Sequence, residues 1–412
     1  MKASSQTHLP SLFSSLLFLL GALFFLSISL VTGVSALISL LTGETVQANL
    51  TILFLVLGFE GVLLLIATFV SILKFLNKQS AEQNIIFFLS VKQILLCIIV
   101  AGISIIFGSL ISSNDSVNWI FLPILTIPAV VLPLWLLLSL TARNLSLGMR
   151  WQTWNVFGLG MTLGPLILIT LEVAVLIFGF LISIFYVVSQ PELLSELERL
   201  SNELVILGPN SEDAANLVAP YLTRPGVILG ALAYFALIIP ALEEIFKPIG
   251  VWFLARKLDS QAQGFALGAL SGAAFALAET FGVSGQTAEW GILLFTRIGT
   301  GILHITTSAL MGAAIVLAWR ERRYWQLLRN YILVVSLHGV WNALALTSTF
   351  STLMELFDQQ GLLRNIQLPI SIGMSLLAVG MFVFLIFYNR KMRDVQSKIQ
   401  GLGAAENLNS DP

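Results

Sequence analysis

The sequence predicts an all-α membrane protein, a polytopic bundle of about ten transmembrane helices, and three observations lead to that fold class. The composition is 57% hydrophobic and 10% charged, with a mean hydropathy of +0.91, whereas soluble domains are about 45–50% apolar. Ten stretches of the chain are long and apolar enough to cross a bilayer. Basic residues cluster in every second connection between those stretches.

The predicted spans each approach or exceed the roughly 20 apolar residues that cross the hydrocarbon core as a helix. They cover residues 12–36, 49–73, 93–112, 119–142, 157–187, 226–254, 262–282, 291–319, 331–350 and 367–388. The run 157–187 is longer than one span needs, which is typical of a tilted helix or of a helix with an interfacial extension. The polar tail that follows the last span, residues 389–412, is expected to be disordered.

The distribution of charge predicts how these helices are oriented. Basic residues mark cytoplasmic connections, and here they are Lys74, Lys78, Arg143, Arg150, Arg256, Lys257, Arg320, Arg322, Arg323, Arg329, Arg390, Lys391 and Arg393. The longest intervening connection, 189–224, is acidic and is expected outside, with leucines at the spacing of an amphipathic helix. Both termini are then cytoplasmic, and we expect a multi-pass protein of a bacterial plasma membrane.

Charge and cysteine content exclude several classes of function. The net charge is −1 and the isoelectric point about 6.3, so the chain has no global basic field and we expect no nucleic-acid partner. Its one cysteine, Cys97, lies in an apolar run. A single cysteine permits neither an intrachain disulfide nor a cysteine-based metal site.

Ionisable groups inside predicted spans are the strongest functional signal, because each costs several kcal/mol at membrane depth unless it is paired or hydrated. The sixth span contains Glu243, Glu244 and Lys247. On one continuous helix, Lys247 would reach either carboxylate, at the i, i+4 or i, i+3 spacing. One glutamate would then be ion-paired, and the other would be available as a general base.

The next three spans carry further polar groups. In the seventh, Phe275 and Glu279 share a helix face, and Gly264, Gly268 and Gly272 form a small-residue stripe that favours close approach of a neighbouring helix. The eighth has Arg297 and, two turns later, His304. The ninth has His338 and Asn342 at the i, i+4 spacing. Glu60 and Glu172 stand alone in other spans, and we expect them to be structural.

Carboxylates, imidazoles and an amide on adjacent helices are the groups needed to hydrolyse a bond with activated water. A glutamate would remove the proton from water, and histidine or asparagine would stabilise the developing oxyanion. A divalent metal such as zinc is a second option, with Glu279, His304 and His338 as a two-histidine, one-carboxylate site. No Gly-x-Ser-x-Gly elbow or His-Glu-x-x-His motif is present.

Three short motifs resemble those of the PrsW-type intramembrane proteases, a branch of the superfamily that includes the CAAX prenyl endopeptidases and Abi-type proteins. They are Glu-Glu-x-x-Lys at 243–247, Phe-x-x-x-Glu at 275–279 and His-x-x-x-Asn at 338–342. PrsW-type proteins usually have Asp at the last position of the third motif. With Asn342 there, this motif resembles the His-x-x-x-Asn of the CAAX branch. The resemblance implies cleavage of a membrane-anchored protein, such as an anti-sigma factor, by a glutamate-dependent or metal-dependent mechanism.

The resemblance also suggests how the chain is organised. Residues 156–390 would be the protease core, with 189–224 as its acidic outer loop and 391–412 as a cytoplasmic tail. Residues 1–155 hold four further spans, an accessory region. Glu243 or Glu244 would be the base, Lys247 would bias which of them is ionised, and Glu279, His304, His338 and Asn342 would orient water, bind a metal or stabilise the oxyanion. A proton-coupled transporter and a non-catalytic scaffold of the same fold are the alternatives.

Overall fold

The computed structural model describes residues 8–208, 211–286, 289–357, 363 and 365–409. Within these residues, ten helical segments are long and apolar enough to cross a membrane, which confirms the predicted fold class and number of spans. The α-helices are α1 (Leu9–Thr42), α2 (Ala48–Phe75), α3 (Val91–Ile111), α4 (Asn118–Thr141), α5 (Arg150–Met161), α6 (Leu163–Val188), α7 (Pro191–Leu207), α8 (Glu212–Leu222), α9 (Pro225–Ala233), α10 (Ile239–Phe246), α11 (Ile249–Leu254), α12 (Gln261–Val283), α13 (Trp290–Glu321), α14 (Tyr324–Leu356) and α15 (Gln367–Asn409).

The fifth and sixth spans are each built from more than one helix, so the prediction of single continuous helices there is wrong. The fifth joins α5 and α6 and breaks at Thr162. The sixth joins α9, a π-helical turn over Tyr234–Ile238, α10 and α11. Helix α10 ends at Phe246 because Pro248 has no amide hydrogen to donate and disfavours helical backbone at Lys247. Lys247 therefore lies in a turn, outside the helix that carries Glu243 and Glu244.

Two other features differ from the sequence prediction. A two-stranded antiparallel ribbon, β1 (Asn84–Ile86) and β2 (Ser146–Met149), joins the connections that follow α2 and α4. The expected disorder of the tail is wrong for residues 389–409, because α15 continues to Asn409. No proline interrupts this segment, so the backbone hydrogen bonds of the helix can extend past the apolar span.

The chain divides into two compact units. Unit 1 comprises Met1–Pro165, Ile245–Ile332 and Gly380–Pro412, and unit 2 comprises Leu166–Glu244 and Leu333–Val379. In this division α1 to α5 belong to the same unit as α12 and α13, and the predicted domains 1–155 and 156–390 stay a prediction. The accessory role of the first four spans stays a prediction.

Helices α12 and α13 form the most buried part of unit 1. The predicted small-residue stripe on α12 is confirmed, since a Cβ atom added at any of its three glycines would collide with a backbone carbonyl of α13. The facing pairs are Gly264 with Gly312, Gly268 with Ser308, and Gly272 with His304. This close approach fixes the register of the two helices and places the middle of α13 against α12.

The basic connections meet at one end of unit 1. The Nζ atoms of Lys74 and Lys257 lie 5.5 and 5.9 Å from the ring centroid of Trp151. Asn389 donates hydrogen bonds to the carbonyls of Thr141 and Arg143, at 2.8 and 3.1 Å. Connections that the charge pattern assigned to one side of the membrane are thus neighbours within the unit. Which side this end faces stays a prediction.

Candidate active site

The predicted site residues, together with Arg297, form one group in each unit. In unit 1 the His304 group consists of Lys247, Glu279, Arg297 and His304. Lys247 is fully buried in the turn after α10, and His304 is buried in the middle of α13. Glu279 lies near the end of α12, with 39% of its side chain exposed. The glycine stripe positions His304, because the backbone carbonyl of His304 packs against Gly272, where α12 has no side chain.

Both ring nitrogens of His304 are hydrogen-bonded. Its Nε2 lies 2.7 Å from Oε2 of Glu279, and its Nδ1 lies 2.8 Å from Nζ of Lys247. Because an ionised carboxylate can only accept, Nε2 carries the proton and donates to Glu279. Nδ1 then accepts from the ammonium of Lys247. The group is a line of hydrogen bonds from Lys247 through a neutral imidazole to Glu279.

Arg297 completes the His304 group from one end of α13. Its Nη1 donates to Oε1 of Glu279 at 3.1 Å, its Nη2 lies 2.7 Å from Oε2, and its Nε donates to the hydroxyl of Thr280 at 3.2 Å. The ring of Phe275 packs edge-on against His304, with centroids 5.2 Å apart, and lies under Nζ of Lys247. The group thus combines two basic side chains with one carboxylate and one imidazole.

The His338 group of unit 2 consists of Glu243, Glu244, His338 and Asn342. The Glu244 side chain is fully buried, and its Oε1 accepts a hydrogen bond of 2.8 Å from Nδ1 of His338. Oε2 of Glu243, whose side chain is 13% exposed, lies 3.9 Å from the same nitrogen. With its proton on Nδ1, neutral His338 keeps a lone pair on Nε2. Two carboxylates and an imidazole therefore lie together in this group.

The π-helical turn fixes α14 beside these carboxylates. Asn342 donates a hydrogen bond of 2.9 Å from its Nδ2 to the carbonyl of Phe235, which lies in that turn. Gly339 lies against the carbonyl of Ala236, so closely that a Cβ atom would collide with it. Turns of this type are frequent at functional sites. Here the turn contacts α14 at Gly339 and Asn342, within the turn of helix that follows His338, and so helps to set the position of His338.

All seven predicted site residues thus make polar contacts within their units, as two groups. Glu243, Glu244, His338 and Asn342 form one, and Lys247, Glu279 and His304 belong to the other. Arg297 was outside the predicted set although it pairs with Glu279. Its spacing of seven residues from His304, two turns of one helix, was the signal that could have included it.

Comparison with known proteins gives the family. The model of the PrsW family intramembrane metalloproteases matches residues 151–388, more than half of the chain. The chain is thus an intramembrane protease by class, built from membrane-spanning helices. It belongs to the PrsW family. No curated protein and no solved structure gives a significant match. The wider relation to the CAAX and Abi proteins stays a resemblance.

The family description implies a metal, and the donor chemistry of this chain fits one. Imidazole nitrogen and carboxylate oxygen are the ligands that zinc takes in catalytic sites. In unit 2, Glu244 accepts from Nδ1 of His338, which is how a carboxylate orients a metal-binding histidine whose other nitrogen is the ligand. The predicted set of Glu279, His304 and His338 spans both units and stays a prediction. A metal on His304 would replace one of that residue's two hydrogen bonds.

Proposed function

We propose that this protein is an endopeptidase that hydrolyses a peptide bond of a membrane-anchored protein, with water activated by the paired glutamates of the His338 group. The observation that carries the proposal is the contact between Glu244 and His338, with Glu243 beside them. The pair is buried in a segment of membrane-spanning helix, where an unneeded carboxylate would be unfavourable. The family match supports the type of reaction.

Glu243 or Glu244 takes a proton from water in the proposed reaction. The resulting hydroxide attacks the peptide carbonyl, and the proton passes to the leaving nitrogen as the carbon–nitrogen bond breaks. The Glu244 side chain is fully buried against His338, whereas 13% of the Glu243 side chain is exposed, so Glu243 is the first candidate to approach water. A general base of this kind contributes about 10² to 10⁴-fold to a rate.

The His304 group would supply positive charge in the same reaction. We propose that its residues take part in the hydrolysis, as the sequence predicts for Lys247, Glu279 and His304. Lys247 donates to His304 and carries an ammonium that favours an oxyanion nearby. Glu279 and Arg297 hold His304 in the orientation that accepts from Lys247. Asn342 acts by holding the π-helical turn against α14.

The proposed hydrolysis has two forms, one that depends on a metal ion and one that does not. Glu243, His304 and His338 are the residues we propose to hold it, and all three offer donor atoms that a divalent cation binds. A bound divalent cation would lower the pKa of water and polarise the peptide carbonyl. Elemental analysis of the purified protein tests this form. Stoichiometric zinc that falls in a His338→Ala variant supports it, whereas full activity of metal-free protein contradicts it.

The location of both groups in apolar helices supports one class of substrate. Both groups are carried by segments that cross the membrane, so the scissile bond has to reach membrane depth or its edge. We propose a protein anchored by a single span, of which an anti-sigma factor is one example. The segment 189–224, with its acidic helix α7, is the proposed docking element on the outer side.

The deciding experiment compares protein N termini in membranes that contain the wild type or a Glu243→Gln, Glu244→Gln variant at equal levels. Mass spectrometry should find new termini in single-span proteins only with the wild type. Glu60→Gln is the matched control, because it removes another buried glutamate, on α2 and outside the family match. The control should cleave normally.

Each single variant sharpens the assignment of the base. Loss of cleavage in Glu243→Gln, with Glu244→Gln reduced but active, would identify Glu243 as the base. Full activity of both single variants would contradict the proposal. Identical termini with wild type and double variant, with the variant correctly inserted, would favour the scaffold or transporter.

A further inference from the structure

An apolar cavity in unit 1 is lined by none of the residues of the two polar groups. Its volume is about 340 Å³, within the range of about 300–1,000 Å³ that is usual for small-molecule sites. Its floor is formed by buried aliphatic side chains of α4 and α12, among them Leu134, Leu138 and Leu277. Phe59, Trp135 and Trp154 line it with partly exposed aromatic rings. An elongated apolar molecule fits such a lining.

The cavity reaches the basic end of the unit. Ile85 and Phe87, in and next to β1, line it together with Trp154 in the first turns of α5. On α4 its lining extends from Val131 to Leu138, which is about 10 Å along the helix axis. The cavity thus extends from the β1–β2 ribbon about 10 Å along α4, a helix long and apolar enough to cross a membrane.

Two arginines flank the ribbon at this end. Arg143 precedes β2 and forms a backbone bridge with Phe87, and Arg150 follows β2 and donates its backbone amide to Gln83 at 2.8 Å. Arg143 is exposed and Arg150 is half-buried. Among the described residues, neither has a carboxylate within ion-pair distance. Their positive charge is therefore available to a ligand.

We propose that this cavity binds one phospholipid with an anionic headgroup. Its acyl chain lies among Leu134, Leu138 and Leu277, and its phosphate lies at the ribbon with Arg143 and Arg150. Basic pockets between membrane helices bind anionic headgroups in this way. Charge decides between lipids, because a zwitterionic lipid gains the same apolar contact but less from the two arginines. The site is independent of the proposed proteolysis and has a readout that does not involve cleavage.

Native mass spectrometry of the full-length protein, purified from vesicles of equal phosphatidylglycerol and phosphatidylcholine, tests the proposal. The wild type should retain one phosphatidylglycerol in preference to phosphatidylcholine. The Arg143→Gln, Arg150→Gln variant should bind it about thirtyfold more weakly, from about a fivefold effect per arginine. Arg390→Gln, Lys391→Gln is the matched control. It removes two positive charges from α15, in the same unit but outside the ribbon, and the variant should bind the lipid as the wild type does.

A second measurement reports on the cavity itself. Phosphatidylglycerol with brominated acyl chains should quench tryptophan fluorescence, and a Trp135→Phe, Trp154→Phe variant should lose most of that quenching while retaining the lipid. Ala273→Phe, which adds a ring to a residue that lines the cavity, should abolish retention. Equal retention of both lipids, or equal loss in the Arg390, Lys391 control, would overturn the proposal. So would unchanged quenching in the double tryptophan variant.

Discussion

His304 and Glu279 come from adjacent helices and share a hydrogen bond of 2.7 Å between Nε2 and Oε2. Arg297, two turns earlier on α13, binds the same carboxylate, with Nη2 2.7 Å from Oε2. The carboxylate of α12 therefore links two residues of α13. The orientation of the imidazole depends on Arg297 through Glu279, so Arg297 is a positioning residue in the proposed active site.

Arg297→Gln is expected to reduce cleavage about 10 to 100-fold, the usual effect of losing a group that orients a ligand or catalytic residue. Glu279 would lose its cationic partner, and its bond to His304 would loosen. Arg297→Lys should restore part of the activity because the positive charge returns. The measurement is the rate of substrate cleavage across a range of pH, since a displaced His304 changes the pH profile as well as the rate.

Thr296→Ala is the control for that prediction, because Thr296 is the exposed neighbour of Arg297 on the same helix. It should leave both the rate and the pH profile unchanged. If Arg297→Gln lowered only the yield of folded protein and kept a normal pH profile of cleavage, Arg297 would be needed only for folding.

The glycine stripe predicts a loss of stability in unit 1. In Gly272→Ala the new methyl group collides with the carbonyl of His304, so α12 and α13 must separate. The expected decrease in the free energy of unfolding is about 1–3 kcal/mol, the range for overpacking. Thermal unfolding in detergent measures it.

Gly282→Ala is the matched control on α12, since its added Cβ meets no atom within 4 Å. It should be neutral or slightly stabilising, because alanine favours helix more than glycine does. Equal stability of the two variants would contradict the packing argument.

The contact between α14 and the π-helical turn predicts a loss of activity that exceeds the loss of stability. In Gly339→Ala the added methyl group meets the carbonyl of Ala236, which pushes α14 and His338 away from the turn. A displacement of 1 Å at a reacting group can reduce a rate about 10²-fold. Gly230→Ala, in open space on α9, should cleave normally. Cleavage assays with thermal unfolding separate the two effects, and a variant that loses stability but keeps its rate per folded molecule would refute the prediction.

The ion pair between Arg224 and Glu196, outside the predicted spans, makes the stability of α7 in unit 2 depend on pH. Arg224 lies 2.6 Å from Glu196 and lowers the pKa of that carboxyl by hydrogen bonding, and the pKa of the Arg224 guanidinium is raised by the same contact. Because the pKa of Glu196 is lower in the folded state, the contact is present above the ordinary carboxyl pKa. It is lost as the pH falls through the lowered value.

Hydrogen exchange of α7, measured relative to the intrinsic rate of an unstructured peptide at the same pH, should therefore accelerate below about pH 4, the ordinary range of a glutamate. Glu196→Gln should remove this acceleration, and the size of the effect should be small because both side chains are exposed. Glu192→Gln changes another glutamate of α7 and should keep it. Acceleration that persists in Glu196→Gln would assign it to a different group.

Much of the fold was predictable from the sequence, because the bilayer permits few choices. Spans of about 20 apolar residues have to be helical in lipid, so the ten spans could be read from hydropathy. The breaks inside them could be predicted less well. Pro248 signals the end of α10, but the π-helical turn at 234–238 has no comparable signal and follows from packing against Gly339.

The residues of the candidate site could be predicted from the sequence, whereas the hydrogen bonds and ion pairs between them could be predicted less well. The cost of burying charge identified Glu243, Glu244, Lys247 and His304 without any structure. The expected use of Lys247 assumed a continuous helix, whereas the turn after Phe246 directs its ammonium to His304. Arg297 was left out because the end of a span tolerates an arginine without any functional role.

Biogenesis of the sixth span depends on helices that are synthesised later. This span carries Glu244 and Lys247, whose partners His338 and His304 follow 94 and 57 residues further along the chain. On insertion scales each charged residue at the centre of a helix costs about 2.5–3.5 kcal/mol. The nascent span therefore enters the bilayer poorly by itself and requires α13 and α14 for its full stability. Truncation before Trp290 should leave the sixth span loosely inserted, accessible to water-soluble reagents and subject to quality-control proteolysis.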